Sequence, residues 1–507
     1  MVERSHFDVI IVGGGSAGCA AAARLSEDPG RRVLLLEAGP DPQPLPDIVA
    51  SGRRDVELLL ASDYVLMYPS TRRVDGSVFY ALSGRIMGGG SSVNAMAAPR
   101  PTRLDFENWV AAGNPGWSYK ACLPILKRME TDQDFPDSPL HGSTGPLAIK
   151  RPWTFDMPLD EPVQAFIERV SAMGIPLSPD LNGPDPHGVG FIASTIKDGA
   201  RQSTTVAYLD SARERPNLTI VADALVTGLQ TTGSRVATVQ YVREGQRYAA
   251  AADQVVLAAG ALHSPQVLML SGIGPAQELE HLGISVVHDL PGVGENYQDH
   301  PKIVMTFEGK TDIETDWAIP RARLVYKSDP GLSCGNFHIG PGAPIRIGGL
   351  ASLLPVGANL VQQTNRGRVT LRSTDPADLP DVDSPMLEDP VDIAAMRNAM
   401  EFIVEMVQHG AMEQYYGRLV QPGPGDDWIQ FAQATMDSYH HSCGTCMMAP
   451  ATNPLAVVDE RLRVHGMDNL WVADASVFPT VPHANTNLSA ILIGERLSDF
   501  LKGESPA

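Results

Sequence analysis

The amino-terminal sequence runs Phe7–Val12, then Gly13-Gly14-Gly15-Ser16-Ala17-Gly18, then an alanine-rich stretch, and then Arg32–Glu37. This order predicts a buried strand, a glycine turn, a helix and a second strand that ends in an acid, which is the arrangement of a dinucleotide-binding βαβ unit. A glycine turn used only for packing is the alternative, and it gives no reason for the acid. We therefore predict an α/β fold with a dinucleotide site at this turn.

The glycines of this turn have separate tasks in such a site. Gly13 allows the tight turn, Gly15 leaves the backbone open to a pyrophosphate, and Gly18 lets the helix pack close to the strand. The helix that follows directs unpaired N–H groups and the positive end of its dipole at the phosphates. Glu37 can accept hydrogen bonds from ribose hydroxyls and would repel a 2′-phosphate, so NADP is not expected.

The bulk composition excludes several classes of partner. The chain has 507 residues, a formal net charge of −20 and a pI of about 5.0. This length allows two or three hydrophobic cores, and the acidic balance argues against nucleic acid or an anionic membrane surface as a partner. No apolar run is long enough to predict a membrane span, and the strand at Phe7 leaves no room for a signal peptide.

The five cysteines are few and scattered, which favours a reducing cytoplasm over a disulfide-bonded, secreted location. Cys443-Gly444-Thr445-Cys446 matches the C-x-x-C pattern. A redox pair needs a thioredoxin-like context and a zinc site needs a second pair, and neither is visible in the sequence. No metal site is therefore predicted.

Apolar period and turn residues predict further elements along the chain. In chain order they are a glycine and serine loop at 78–100, hairpin-joined strands at 200–260 ending in a buried strand, a short helix at Ser264–Ser271, a turn at Gly272–Gly274, a β-rich region at 301–385, helices at 391–409 and 426–437, a strand at Leu470–Ala473, and a closing helix at about Leu488–Leu501.

Three further segments accompany the amino-terminal turn: Gly84–Asn94, Gly260–Gly274, and a carboxyl-terminal set formed by His441–Cys446, Asp474–Ser476 and Asn485–Asn487. In this order, the four motifs resemble the glucose–methanol–choline (GMC) oxidoreductases, FAD enzymes that oxidise alcohols. The resemblance runs nearly from end to end of the chain. The chain departs from the usual pattern at Met87, at Ala97-Ala98-Pro99-Arg100, and in a short segment at 305–345.

The resemblance implies an α/β fold in which a Rossmann-like FAD-binding domain is interleaved with an α+β substrate domain built on an antiparallel sheet. On this basis we assign 1–155, 196–304 and 438–507 to the FAD-binding domain, and 156–195 and 305–437 to the substrate-binding domain.

The resemblance also implies the residues that bind FAD. Asn94–Ala97 would pass along the isoalloxazine ring, Val226 would offer its backbone to the adenine, and Asp474 and Ala475 would hold the ribityl and pyrophosphate region. Some family members bind FAD through a histidine just before this asparagine. Here Val93 stands in that place, so FAD is expected to be non-covalent. The full implied set is Gly13, Gly15, Ser16, Ala17, Gly18, Glu37, Gly88, Gly89, Asn94, Ala95, Met96, Ala97, Val226, Asp474, Ala475, Asn485 and Thr486.

His441 and Asn487 are the implied catalytic residues. A neutral imidazole that accepts the hydroxyl proton eases departure of the hydride, an effect worth about 10²–10⁴ in rate. Asn487 would donate to the substrate oxygen. The last helix would begin at about Asn485–Asn487, and its dipole would stabilise negative charge on the reduced flavin by about 0.3–2 kcal/mol.

The other histidines have less defined roles in the sequence. His440 is adjacent to His441, so its side chain is expected to point elsewhere and either to serve packing or to support the site residues from outside. His483 precedes the last helix and is left open between a pocket role and a packing role. His263, His300 and His338 are expected to be structural.

These features predict an FAD-dependent enzyme that oxidises a small primary alcohol to the aldehyde and passes electrons to O2. Aromatic and hydroxymethyl alcohols are the favoured substrates, with Ile345–Pro355 as a pocket wall. Three alternatives stay open: a dehydrogenase with a quinone or other acceptor, a flavin-containing lyase with no net redox chemistry, and a non-catalytic flavin protein.

Overall fold

The computed structural model describes residues 6–52, 59, 61–70, 77–310, 322–347 and 350–503. In chain order its strands are β1 (His6–Val12), β2 (Val33–Leu36), β3 (Val65–Ser70), β4 (Phe79–Gly84), β5 (Glu130–Asp132), β6 (Leu147–Ile149), β7 (Gly188–Phe191), β8 (Ile196–Lys197), β9 (Ala200–Arg201), β10 (Leu218–Val221), β11 (Leu225–Thr232), β12 (Arg235–Arg243), β13 (Gln246–Leu257), β14 (Ile273–Gly274), β15 (His288–Asp289), β16 (Glu295–Tyr297), β17 (Pro301–Gly309), β18 (Ala322–Tyr326), β19 (Phe337–Pro341), β20 (Ile345–Ile347), β21 (Leu350–Leu360), β22 (Gly367–Thr370), β23 (Asp381–Asp383), β24 (Tyr416–Gln421), β25 (Asp437–Ser438) and β26 (Leu470–Val472).

The α-helices within the same residues are α1 (Ser16–Leu25), α2 (Asp47–Ala50), α3 (Gly90–Val93), α4 (Arg103–Ala111), α5 (Tyr119–Arg128), α6 (Glu161–Ala172), α7 (Gly260–Leu270), α8 (Ala276–His281), α9 (Pro390–Val407), α10 (Trp428–Thr435) and α11 (Thr486–Lys502). None of the helices in the described ranges is long and apolar enough to cross a lipid bilayer.

A parallel sheet forms the frame of the dinucleotide motif. β1 lies between β2 and β13, β10 extends the sheet beyond β2, and β26 pairs with β13 on the other side. All of these pairings are parallel, and the apolar run of β1 is buried, as expected for a strand covered on both faces. β11, β12 and the first half of β13 add an antiparallel meander, so chain segments separated by more than 200 residues share one sheet.

The glycines of the first turn are required by close backbone contacts. Gly13 has φ of +105°, and a Cβ on Gly18 would lie 1.9 Å from the carbonyl oxygen of Gly13. No side chain fits in that gap, so the start of α1 packs directly against the end of β1. The predicted strand, turn, helix and second strand are therefore confirmed.

A second, antiparallel sheet stands apart from the first. Its strands run in the order β24-β17-β21-β19-β18-β7, with β20 and β25 at its sides. Phe307, Phe337 and Met400 belong to a separate hydrophobic core under this sheet, to which α6 and α9 contribute. This arrangement confirms the predicted fold class, a Rossmann-like domain combined with an α+β domain. The residue boundaries assigned to the two domains stay a prediction.

Several local predictions need correction. The predicted loop at 78–100 contains β4, which pairs with β3, and the short helix α3. The predicted helix at Ser264–Ser271 begins four residues earlier, and the predicted turn at Gly272–Gly274 includes the two-residue strand β14. The predicted helices at 391–409 and 426–437 correspond to α9 and α10. Within the predicted β-rich region, 311–321 and 348–349 lie outside the described residues.

Candidate functional site

One large cavity lies between the two sheets. Its volume is about 1600 Å³, beyond the roughly 300–1,000 Å³ of ordinary small-molecule pockets, so it has room for a dinucleotide and a second small molecule. It is lined by the ends of the parallel strands on one side and by β17, β18, β19 and β21 on the other. The cavity therefore joins the sites predicted at the two ends of the chain.

Helices α1 and α11 both begin at this cavity. Ser16 and Ala17 at the start of α1, and Thr486 and Asn487 at the start of α11, all line it. Neither helix has a side-chain cap, so the first N–H groups are free for an anion, and both dipoles present their positive ends. Ser16 Oγ donates to Asn487 Oδ1 at 2.7 Å, which fixes the two helix starts side by side.

The glycine loop lies directly on the first turn. The N–H of Gly88 donates to the carbonyl oxygen of Gly14 at 2.6 Å, and Asn94 follows α3 in extended conformation. Asn94 Oδ1 accepts from the N–H of Met96 at 3.0 Å and from Arg201 Nη1 at 2.9 Å. The loop is thus held in one conformation along the cavity wall.

The two buried acids of the cofactor side already hold backbone amides. Glu37 accepts from the N–H groups of Gly14 at 2.7 Å and Gly39 at 2.8 Å, and burial raises its pKa to about 7. Asp474 accepts from the N–H of Gly260 at 2.8 Å, and burial raises the pKa of this carboxyl as well. These bonds hold the strand ends and helix starts on which a dinucleotide would rest.

The imidazole of His441 lies on the cavity wall and contacts Asn485. His441 is 7% exposed, and its Nε2 is 2.9 Å from Asn485 Nδ2. Arg323 Nη1 lies 3.5 Å from Asn485 Oδ1. Because a guanidinium only donates, the amide oxygen faces the arginine and the amide nitrogen faces the imidazole. His441 Nε2 therefore accepts a hydrogen bond and carries no proton.

The side chain bonded to His441 is Asn485 and not Asn487, the partner that we predicted from the sequence; the predicted contact of Asn487 with the substrate oxygen stays a prediction. Asn485 precedes α11 in an extended conformation that carries its side chain toward His441. Asn487 lies within the first turn of the helix, and its side-chain oxygen accepts from Ser16 instead. Both asparagines line the cavity, but only Asn485 is bonded to the imidazole.

We did not predict from the sequence the two residues that contact His441 on the side away from Asn485. His300, which we expected to be structural, has Nδ1 2.8 Å from His441 Nδ1, the ring atom that must carry the proton. Asp299 accepts from the N–H groups of His300 at 2.7 Å and His441 at 2.9 Å, so one carboxylate holds both histidine backbones. The signal in the sequence was the adjacent pair of an acid and a histidine, Asp299-His300.

Burial lowers the pKa of each histidine in this cluster. The pKa of His300 falls to about 3 and that of His440 to about 4, while that of His441 lies well below its ordinary value. Nearby positive charge, including Arg323, lowers the pKa of His441 further. Burial raises the pKa of Asp299 to about 6. The imidazoles are therefore neutral at pH 7, which agrees with an unprotonated Nε2 on His441.

The cavity brings most of the predicted site residues together. His338 and His440 also line it, whereas His483 turns away, because its Nδ1 contacts Asp105 Oδ1 at 2.6 Å. Gly18, Gly88 and Met96 support the wall from behind without lining the cavity. The predicted residues on the wall are Gly13, Gly15, Ser16, Ala17, Glu37, Gly89, Asn94, Ala95, Ala97, Val226, His441, Asp474, Ala475, Asn485, Thr486 and Asn487.

Two other polar clusters serve packing. Glu130, Asp132 and His141 lie close together, but Arg100 pairs with Glu130 at 2.6 Å and Arg151 with Asp132 at 3.0 Å, so this is an ion-pair network. Cys443 and Cys446 are free and buried, and burial raises the pKa of both thiols well above the ordinary value.

Comparison with known proteins identifies the family. Profiles of the GMC oxidoreductases match residues 7–302 and 363–494, most of the chain. Human mitochondrial choline dehydrogenase is 35% identical over 99% of this chain and 91% of that protein. The 5-(hydroxymethyl)furfural oxidase of Methylovorus sp. (strain MP688) is 34% identical over 98% of both.

The fold agrees with this assignment. Pyridoxine 4-oxidase from Mesorbium loti superposes with a TM-score of 0.92 at 29% identity, over 98% of this chain and 100% of that one. The uncapped start of α1 and the bare glycine turn suit the diphosphate of FAD. The chain belongs to the GMC oxidoreductase family, and it is an FAD-dependent oxidoreductase that acts on CH–OH donors.

Proposed function

We propose that the protein oxidises a primary alcohol to its aldehyde, with FAD bound non-covalently and O2 as the electron acceptor. Aromatic and hydroxymethyl alcohols are the leading candidates, because similar proteins include a 5-(hydroxymethyl)furfural oxidase and a pyridoxine 4-oxidase. The observation that carries the proposal is the bonded pair of His441 and Asn485 on the wall of the cavity at which α1 and α11 begin.

His441 is the proposed general base. The lone pair of Nε2 points toward the side chain of Asn485, and both side chains line the cavity. A substrate hydroxyl in the cavity can therefore approach both groups. Transfer of the hydroxyl proton to Nε2 leaves negative charge on the substrate oxygen, and the α-hydrogen then departs more easily as a hydride. Nδ2 of Asn485 can donate to that oxygen as its charge develops. The hydrogen bond from Nδ1 to His300 keeps the ring in the tautomer that this step needs.

The cofactor side of the cavity completes the proposal. FAD, when bound, supplies the hydride acceptor and carries the electrons onward to O2. The start of α1, the glycine loop and Asp474 are the proposed supports for its diphosphate and ribityl parts, and the start of α11 favours negative charge on the flavin. Val93 lines the cavity and has no nucleophilic atom, which supports non-covalent binding.

The test of this function is His441→Ala. The rate of flavin reduction by an aromatic alcohol, followed anaerobically in a stopped-flow instrument, should fall at least about a hundredfold because the base is lost. FAD content should be unchanged. His409→Ala, a change at an exposed histidine ion-paired with Glu405, is the matched control and should keep the parent rate. A near-normal rate in His441→Ala would assign the base to another residue.

The electron acceptor needs a separate measurement. Hydrogen peroxide should form in stoichiometric amount with the aldehyde under air, since O2 is the proposed acceptor. Turnover only with an artificial quinone would identify a dehydrogenase instead. A flavin that no alcohol bleaches under anaerobic conditions would favour the lyase alternative.

A further inference from the structure

Arg323 stands at the substrate end of the cavity. It belongs to β18, is 6% exposed, and lines the cavity beside His441 and Asn485. Its Nη2 donates to Tyr439 Oη at 3.1 Å and its Nη1 to Asn485 Oδ1 at 3.5 Å. Both partners are neutral, and no carboxylate of the described residues pairs with this guanidinium.

A buried arginine without an anionic partner is costly unless a ligand supplies the anion. Removing a guanidinium from water is unfavourable, and pairing with a carboxylate is the usual way to offset that cost. Two neutral hydrogen bonds, one of them long, leave much of that penalty uncompensated. Arg323 therefore has the character of an anion-binding group whose partner is not among the described residues of the chain.

The acids on the cavity wall do not balance the charge of Arg323. Lys302 also lines this part of the cavity, and Asp437 pairs with it at 3.6 Å. Glu37 and Asp474 lie on the cofactor side and hold backbone amides. Among the described residues that line the substrate end, the positive charge of Arg323 thus has no acid beside it.

We propose that the physiological substrate is an alcohol that also carries a carboxylate, and that Arg323 binds this carboxylate. The inference rests on the alcohol oxidation proposed above and names its substrate class. One amide group, that of Asn485, separates the guanidinium from His441 Nε2, so the carboxylate and the reacting hydroxyl belong to one small molecule. A compact hydroxy acid or a hydroxymethyl-arene carboxylate meets this requirement.

The same charges disfavour a cationic alcohol. Choline would place a quaternary ammonium group near Arg323 and Lys302, where like charges repel in a partly desolvated site. This chain is therefore inferred to differ in substrate charge from the choline dehydrogenases that it resembles in sequence.

The experiment compares three alcohols that differ in charge. 4-(Hydroxymethyl)benzoate is the anion, 4-(hydroxymethyl)benzamide is its neutral counterpart of nearly equal shape, and choline is the cation. Anaerobic flavin reduction gives the second-order rate constant for each. We expect the benzoate to exceed the benzamide by about 10- to 100-fold, the worth of hydrogen bonds to a charged group, and choline to be slowest.

Arg323→Gln should remove this preference, so that the ratio of benzoate to benzamide falls to near one. Arg323→Lys should keep part of it, because the positive charge remains. Arg368→Gln, a change at an exposed arginine that does not line the cavity, is the matched control and should keep the parent ratio. FAD content and the thermal midpoint of each variant report whether it folds.

A binding measurement makes the inference independent of turnover. Benzoate and benzamide, which lack the hydroxymethyl group and cannot be oxidised, serve as ligands. Benzoate should perturb the visible flavin spectrum at a concentration at least about tenfold lower than benzamide does, and this difference should disappear in Arg323→Gln. Equal rates and equal binding for the two compounds in the parent protein would overturn the inference while leaving alcohol oxidation intact. An equal loss for both compounds in Arg323→Gln would overturn it too, since the arginine would then only position Asn485. A flavin that neither alcohol reduces would contradict the proposed function, and benzoate binding would still test Arg323.

Discussion

Asn485 and Asn487 stand two positions apart at the start of one helix, yet their side chains have different neighbours. Asn485 bonds to His441, the proposed base, and Asn487 bonds to Ser16 at the turn that would hold the diphosphate. One side chain therefore belongs to the substrate end of the cavity and the other to the cofactor end. The periodicity of the sequence could not separate them, because the first residue of a helix is uncertain by one or two positions.

Substitution of the two asparagines should separate these roles. Asn485→Ala should slow flavin reduction by about 10²–10³, the usual effect of removing a donor to a developing oxyanion, with FAD content unchanged. Asn487→Ala should instead weaken FAD binding and leave the reduction rate within about threefold of the parent once the enzyme is saturated with FAD. The opposite pattern would restore Asn487 as the partner of the substrate oxygen.

At the scale of elements, the strand β5 is held by a compact set of ionic contacts. His141 Nδ1 lies 2.8 Å from Glu130 Oε1, and its Nε2 lies 3.0 Å from Asp180 Oδ2. Burial alone would lower the pKa of His141, but the hydrogen bonds to Asp180 and Glu130 outweigh it, and the pKa is raised above 6.5. The protonated ring therefore links β5 to the segment that carries Asp180.

This raised pKa gives a pH-dependent contribution to stability. Because the folded state holds the proton more tightly than the unfolded state, the contribution is fully present below about pH 6.5 and is lost as pH rises through the folded pKa. His141→Gln should cost about 1.5–3 kcal/mol at pH 6, the range for hydrogen bonds to charged groups, and distinctly less at pH 9. Urea unfolding of both proteins at each pH provides the measurement. Two unfolding curves with the same separation at both pH values would contradict the assignment.

The elements that could be predicted from sequence are those fixed by neighbours in the chain. The turn from Gly13 to Gly18 was predicted correctly because strand, glycines and helix follow one another directly. The strand β4 was not predicted. It forms by pairing with β3, and the register of this pair depends on tertiary contacts that the spacing of apolar residues does not reveal. For the same reason His300 was missed, since its contact with His441 joins positions 141 residues apart.

At the scale of the whole molecule, the two hydrophobic cores lie on opposite sides of the cavity. The parallel sheet and the antiparallel sheet each contribute one wall, and the cavity of about 1600 Å³ separates them. A molecule that fills this space contacts both domains at once. FAD is therefore expected to stabilise the antiparallel sheet as well as the sheet that carries its binding turn.

Removal of FAD should expose this coupling. At a free FAD concentration one hundredfold above its dissociation constant, the holoprotein should gain about 2.7 kcal/mol over the apoprotein. Thermal unfolding with and without FAD gives the shift in midpoint, and amide hydrogen exchange locates it. We expect faster exchange without FAD in β17 and β21 as well as in β1 and β13. Faster exchange confined to the parallel sheet would mean that the two domains respond independently.

The hydrogen bond between Ser16 and Asn487 joins positions 471 residues apart. The ribosome must consequently translate past position 487 before both helix starts exist in one molecule. A nascent chain shorter than this lacks the start of α11, so we expect it to hold flavin poorly. A variant that stops before position 485 should therefore purify without the visible absorbance of flavin.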